Sequence, residues 1–177
     1  MISKDIPLAD KQNIFTVVYR ENHDRIFRLC CAYCPDADDR DDLMQNIFIN
    51  VWRHLDSFQG RSQIRTWIYR IAVNTALLFV KRRDRWAGRF ISSDMADVQT
   101  SQPSPDAELV GNEEARMLYA CINRLAELDR LVITMVLDDL TYDDISQVTG
   151  LSPGNVGVRI NRIKKKLAAM MKGDRHE

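Results

Sequence analysis

The chain has 177 residues, and its 25 Lys and Arg balance 25 Asp and Glu to a formal net charge of zero. That length allows one domain or two small ones, and no run approaches the roughly 20 apolar residues of a membrane span. The zero total excludes a uniformly basic or acidic protein, yet residues 61–90 hold eight Arg or Lys against one acid, and residues 145–173 hold six and none.

The first ten residues, MISKDIPLAD, lack the basic and apolar parts of a signal peptide, so a cytoplasmic protein without membrane insertion is expected. Phe15, Val18, Tyr19, Ile26, Leu29, Cys30 and Tyr33 share one face of a helix that ends near Pro35. A second helix is predicted from about Asp38 to Leu55, with Leu43, Ile47, Val51, Trp52 and Leu55 inward and an Asp-rich first turn that suits the helix dipole. Residues 56–62, DSFQGRS, form a loop. A third helix runs from about Ile64 into Lys81, Arg82 and Arg83, burying Trp67, Ile68, Ile71 and Leu78.

Residues 91–108, ISSDMADVQTSQPSPDAE, carry too little apolar surface to pack and read as a flexible acidic linker. Two more helices follow, from about Asp106 to Leu125 and from Leu128 to Leu137. No alternation of period two is long enough for a strand. The expected fold is therefore all-α: two small helical domains, 1–90 and 107–177, joined by a linker at 91–106.

The end of the chain carries the sharpest local signals. Thr141 with Asp144 three residues on makes a capping box, and Gly150 suits the left-handed turn that ends a helix. Ser152 before Pro153 reads as cap and first residue of the next. Along that helix Val156, Ile160, Ile163, Leu167 and Met170 recur at helical spacing as a buried stripe. Gly154, Val158, Asn161 and Lys165 fall opposite, flanked by Arg159, Arg162 and Lys166. A core side and a cationic side after a short Gly turn describe a helix-turn-helix, although an ordinary amphipathic helix pair shares the pattern.

Cys31 and Cys34 have metal-ligand spacing, with Cys30 beside them. No second Cys pair exists, and Leu29, Cys30 and Tyr33 continue an apolar stripe, so small buried cysteines are expected and no metal or other cofactor. No phosphate-binding Gly loop, His-Glu-x-x-His or nucleophile with an obvious base is present, so no enzyme is expected.

Residues 42–76, DLMQNIFINVWRHLDSFQGRSQIRTWIYRIAVNTA, and later LDDLTYDDISQVTGLSPGNVGVRINRIKKKL, resemble the extracytoplasmic-function sigma factors of the sigma-70 class. The pieces D-L-x-Q, L-D-S-F-x-G, T-W-x-Y-R-I-A-x-N and the late helix-turn-helix occur in that family's order, and the likeness spans roughly 13–90 and 107–170. It implies a protein that lends promoter specificity to core RNA polymerase. Its partners would be the β′ clamp helices and β flap of the polymerase, promoter DNA and an anti-sigma factor.

The resemblance places polymerase docking on Asp42, Leu43, Gln45, Asn46 and Trp52. It places −10 recognition and melting on Phe58, Gln59, Gly60, Arg61, Ser62, Gln63, Ile64 and Asn74. Arg65, Arg70, Lys81, Arg82 and Arg83 are candidates for backbone phosphates. Such work needs a loop that can pocket an unstacked base, a polar group for its edge and cations nearby. For the −35 element, Asn161, Arg162 and Lys165 are the candidates for base edges. Ser152, Asn155, Arg159, Lys164 and Lys166 are those for phosphates, and Val158 lies on the same face.

Four departures from the family pattern stand out. Gly157 and Val158 replace a usual cation and small polar residue, Ile64 a frequent aromatic and Arg61 a frequent acid. In the family the linker threads toward the polymerase's active channel, where Asp94, Asp97, Asp106 and Glu108 could mimic phosphate charge, or act only as a solvated tether. Two further functions compete: a stand-alone helix-turn-helix regulator that binds a symmetric operator as a dimer, and a thiol or metal sensor at Cys30, Cys31 and Cys34.

Overall fold

The computed structural model describes residues 8–90 and 113–173, with side chains at 9–83 and 113–172. The linker at 91–106, its acids Asp94, Asp97 and Asp106, and Glu108 beyond it lie outside the described residues. Seven helices and no strand are present among the described residues, in two compact units.

In the first unit α1 (Leu8–Tyr33), α2 (Ala37–His54) and α3 (Ile64–Phe90) pack pairwise around one core. Pro35 cannot continue α1, and the Cys34 N–H makes a last bond to the Cys30 carbonyl at 2.8 Å. Asp36 then caps α2, its Oδ1 accepting from the N–H groups of Asp38 at 2.9 Å and Asp39 at 3.2 Å. Such a cap is worth about 1 kcal/mol. Ile26, Leu29, Leu43, Ile47, Val51, Leu55, Ile68 and Tyr69 form the buried centre. Each large aliphatic contributes about 1.5–3 kcal/mol by leaving water.

The inner face of α3 differs from the expected one. Its buried stripe is Ile68, Tyr69, Ala72, Val73 and Ala76, whereas Leu78 is 58% exposed. Ala72 and Ala76 rotate the contact face by about one residue because small side chains let helices approach closely, leaving Ile71 and Trp67 half-buried. Tyr19, expected inside, is exposed at the rim and rests its ring on Phe48, with centroids 4.5 Å apart.

The second unit holds α4 (Glu113–Asn123), α5 (Glu127–Leu137), α6 (Tyr142–Thr149) and α7 (Pro153–Gly173). Any turns of the helix expected from Asp106 that precede Glu113 lie outside the described residues. Arg130 ties α4 to α5, its Nη2 donating to the carbonyls of Asn123 at 2.7 Å and Leu125 at 3.1 Å. After α5 the chain turns at Asp139, whose φ of 58° is left-handed, a conformation that a short polar side chain tolerates.

The helix-turn-helix follows the expected pattern. The N–H of Asp144 donates to Thr141 Oγ1 at 3.1 Å, and Asp144 Oδ2 accepts from the Thr141 N–H at 3.1 Å and its hydroxyl at 2.7 Å. Gly150 ends α6 at φ 75°, where a β-carbon would be strained. Val156, Ile160, Ile163 and Leu167 are buried, while Met170 is only half-buried.

Candidate nucleic-acid interface

The exposed side of α7 is built by subtraction. With Val156, Ile160, Ile163 and Leu167 inward, helical geometry turns Asn155, Val158, Asn161, Arg162, Lys164, Lys165 and Lys166 outward, and all seven are exposed. Val158, at 72%, presents an apolar tip in the middle of this polar face. Ser152 is exposed as well, but its Oγ accepts from the Asn155 N–H at 3.4 Å and so works as a weak cap.

Arg159 departs from the expectation of an outward phosphate contact. It is half-buried, and its Nη1 is ion-paired with Oδ1 of Asp129 on α5. Arg162 reaches the same oxygen with Nη2 at 3.3 Å, though two-thirds of its side chain remains exposed. Neither link follows from the pattern of α7 alone.

Tyr142 is a residue that motif reading missed. It is half-exposed at the start of α6, with Cε2 3.4 Å from the place of a β-carbon on Gly157. A glycine inside a helix was the available signal that a neighbour comes close at that point.

The second candidate surface is the 58–64 loop with α3. A 3-10 turn, Leu55–Ser57, carries α2 into the loop, and the Phe58 N–H bonds to the Leu55 carbonyl at 3.1 Å. Phe58 folds back on Trp67, ring centroids 5.3 Å apart, so both rings close the base of the loop. Gly60 takes φ 67° with open space around it, a left-handed turn natural to glycine. Gln59, Gly60, Arg61 and Gln63 are exposed, and Ser62, Ile64 and Arg65 are half-buried.

Arg70, Asn74 and Lys81 are exposed at helical spacing and form one stripe along α3, with Arg82 exposed beside it. Asn74 is ten residues beyond Ile64, about 15 Å along the helix, so it lies along the track of the loop and not within it. Arg83 is half-buried and turned to α2, where its Nη1 meets Asp39 Oδ2 at 3.3 Å.

A brace that the sequence did not reveal stands behind the loop. Lys11 on α1 is ion-paired with Asp56 in the 3-10 turn, and its ammonium lies 4.8 Å from the centroid of Trp52. Phe15 meets the same indole edge-on at 5.2 Å. The Trp52 ring is therefore engaged within the unit and only half-buried.

On α2, Asp42, Gln45, Asn46, Ile49 and Arg53 form one exposed stripe. Leu43 has to be withdrawn from it. Its side chain is fully buried in the core, because the helical turn that exposes Asp42 sends the next residue inward. Ile49, 46% exposed in the middle of the stripe, was missed. Its signal was an aliphatic residue three positions after Asn46, off the buried line.

All four cysteines are buried. Burial first, then neighbouring Cys34 and Cys31, pushes the Cys30 thiol well up. Burial likewise raises Cys34 to about 12, against a smaller opposing pull from Arg83. Cys30 and Cys34 are neutral packing thiols with none of the thiolate character of a reactive cysteine. Among the described residues, no three His, Cys, Asp or Glu side chains are grouped to hold a metal ion, and no helix is long and apolar enough to cross a membrane.

Comparison with known proteins matches both units. The family model for Sigma-70 region 2 matches residues 18–86, and that for Sigma-70, region 4 matches residues 115–167. The ECF RNA polymerase sigma-E factor of Escherichia coli strain K12 is 31% identical over 168 residues, covering 89% of this chain and 85% of the relative. The protein of the same name from Haemophilus influenzae is 31% identical over 163 residues, covering 85% and 84%. Among solved structures, the sigma factor RpoE in complex with the anti-sigma factor NepR from Bartonella quintana superposes with a TM-score of 0.71 at 19% identity, over 93% of this chain and 98% of that one. CnrH in complex with the cytosolic domain of CnrY gives 0.66 at 22% identity, over 92% and 90%.

Proposed function

The chain belongs to the extracytoplasmic-function sigma factors of RNA polymerase, and from that premise we propose how its two helical units divide the work of promoter recognition. Residues 1–90 dock on the β′ clamp helices and open the −10 element. Residues 107–177 read the −35 element and meet the β flap, and residues 91–106 tether the two. The protein supplies specificity and no catalysis of its own, and it acts in the cytoplasm. The observation that carries this reading is the match of region 2 and region 4, in that order, to the two separate units. A stand-alone regulator has no use for the first of these.

Docking falls on the exposed stripe of α2. Asp42, Gln45 and Asn46 offer a carboxylate and two amides, with Ile49 as the apolar contact among them and half-buried Trp52 at the far end. A few such central residues dominate an interface. At the −10 element, the loop from Phe58 to Ile64 receives the unstacked strand. Asn74 reads a further base edge, and Arg70, Lys81 and Arg82 follow the phosphates. Arg83 assists only if it leaves Asp39.

In the second unit Asn161, Arg162 and Lys165 face base edges, and Val158 meets a thymine methyl, the apolar feature of the major groove. Ser152, Asn155, Lys164 and Lys166 hold phosphates. One solved structure similar in fold is a sigma factor in complex with an anti-sigma factor. We extend this to the present chain as an anti-sigma partner.

The docking assignment is tested by competition for core polymerase against a labelled sigma factor. Asp42→Lys and Ile49→Glu should each weaken binding by roughly tenfold or more, whereas Lys164→Ala should not. Unchanged competition by both α2 variants would remove this surface from the interface.

A further inference from the structure

We propose that Asp129 is a positioning residue for promoter reading: its buried carboxylate holds the Arg159–Arg162 pair of α7 so that Arg162 meets DNA in a set orientation. The inference rests on the proposed role of α7 at the −35 element and adds a residue from α5 to it. Asp129 lies in the first turn of α5 and is 7% exposed. Its Oδ1 is shared by Arg159 Nη1 and, at 3.3 Å, by Arg162 Nη2.

The two arginines are one helical turn apart, so they stand on the same side of α7 and converge on a single acceptor. Their exposures differ, with 26% for the Arg159 side chain and 66% for that of Arg162. Arg159 neutralises the buried charge. Arg162 is held by one nitrogen, and a guanidinium has further N–H donors in a rigid fork. The side chain is otherwise largely exposed, on a helix where Asn161 and Lys165 are exposed too. A long side chain fixed before binding loses less rotamer freedom on binding, an advantage of roughly two- to tenfold in affinity.

The test is selection from a promoter library, randomised across the −35 region, with holoenzyme reconstituted from bacterial core polymerase and the full chain. Wild type, R162A, D129N and the double variant are compared. R162A should flatten the base preference at one position by roughly tenfold. D129N should weaken it at that same position by about three- to tenfold, and adding D129N to R162A should change nothing further. A merely structural role would lower binding to all sequences alike and would still act in the R162A background.

D129L supplies a second variant without an acceptor, in which an apolar group fills the buried place. Each variant is assayed at a temperature where its helical signal equals that of wild type. If R162A flattens a position and both Asp129 variants leave it intact, the positioning role is overturned while −35 reading by α7 stands. If R162A leaves every preference intact, Arg162 reads no base and the positioning role is likewise overturned. If wild type shows no preference across the −35 region, both fail together.

Discussion

The ring of Tyr142 occupies the space beside Gly157: its Cε2 lies 3.4 Å from where a β-carbon on that glycine would stand. A glycine within α7 lowers helix stability by about 1 kcal/mol relative to alanine, and its backbone φ is not in the left-handed range that would require glycine. The contact distance leaves room for a methyl group. Gly157→Ala should therefore stabilise the second unit by about 0.5–1 kcal/mol. A thermal melt should show a midpoint raised by a few degrees, and a lowered midpoint would mean that the Tyr142 ring cannot accommodate the methyl.

Phe58 and Trp67, with centroids 5.3 Å apart, close the base of the 58–64 loop. Such an aromatic pair contributes about 0.5–1.5 kcal/mol beyond the area it buries. Phe58→Ala should loosen the loop that receives the melted strand, with the docking stripe of α2 untouched. Permanganate reactivity of unpaired thymines at the −10 element should fall several-fold, and affinity for core polymerase should stay unchanged. Full reactivity would show that Phe58 has no part in strand capture.

The thiols give a pH dependence whose sign follows from Cys34. Its folded pKa is pushed up to about 12 from an ordinary value of 9.0, mainly by burial. The folded state then keeps a proton that the unfolded chain gives up. The stabilisation is complete below about pH 9 and is lost as pH rises from there toward about 12. Urea midpoints should decline between pH 8.5 and 10.5 more steeply for wild type than for Cys34→Ala. At neutral pH, alkylation of all four cysteines should be slow until denaturant is added. Rapid labelling of the native protein would contradict their burial and revive the thiol sensor.

The helix-turn-helix was legible in the sequence because its signals are local. Thr141, Asp144, Gly150, Ser152 and Pro153 each act on backbone within a few residues, and the aliphatic spacing of α7 identifies its inner face. The all-helical class was legible for the same reason. The rest depends on neighbours that periodicity cannot name. Asp129 and Arg159 are 30 residues apart, and Lys11 and Asp56 are 45 apart. Composition alone cannot say that such cations are already engaged.

Leu78 failed for a different reason: its side chain was assigned to the wrong side of a helix. Leu43 reads as inward from its spacing and is buried, and only the docking role that the resemblance places on it conflicts with that position. On α3 the small Ala72 and Ala76 carry the contact face while bulkier Leu78 points outward. A sequence pattern weighted toward large aliphatics turns that helix by about one residue.

The most direct test of the account is in vitro transcription with sigma-free bacterial core polymerase, the purified protein and a library of promoter fragments, with 5′ ends mapped. The account predicts defined start sites only when the protein is present, preceded by shared −10 and −35 sequences. Failure to bind core or to start any transcript, together with dimeric binding to duplex DNA in the absence of polymerase, would contradict it.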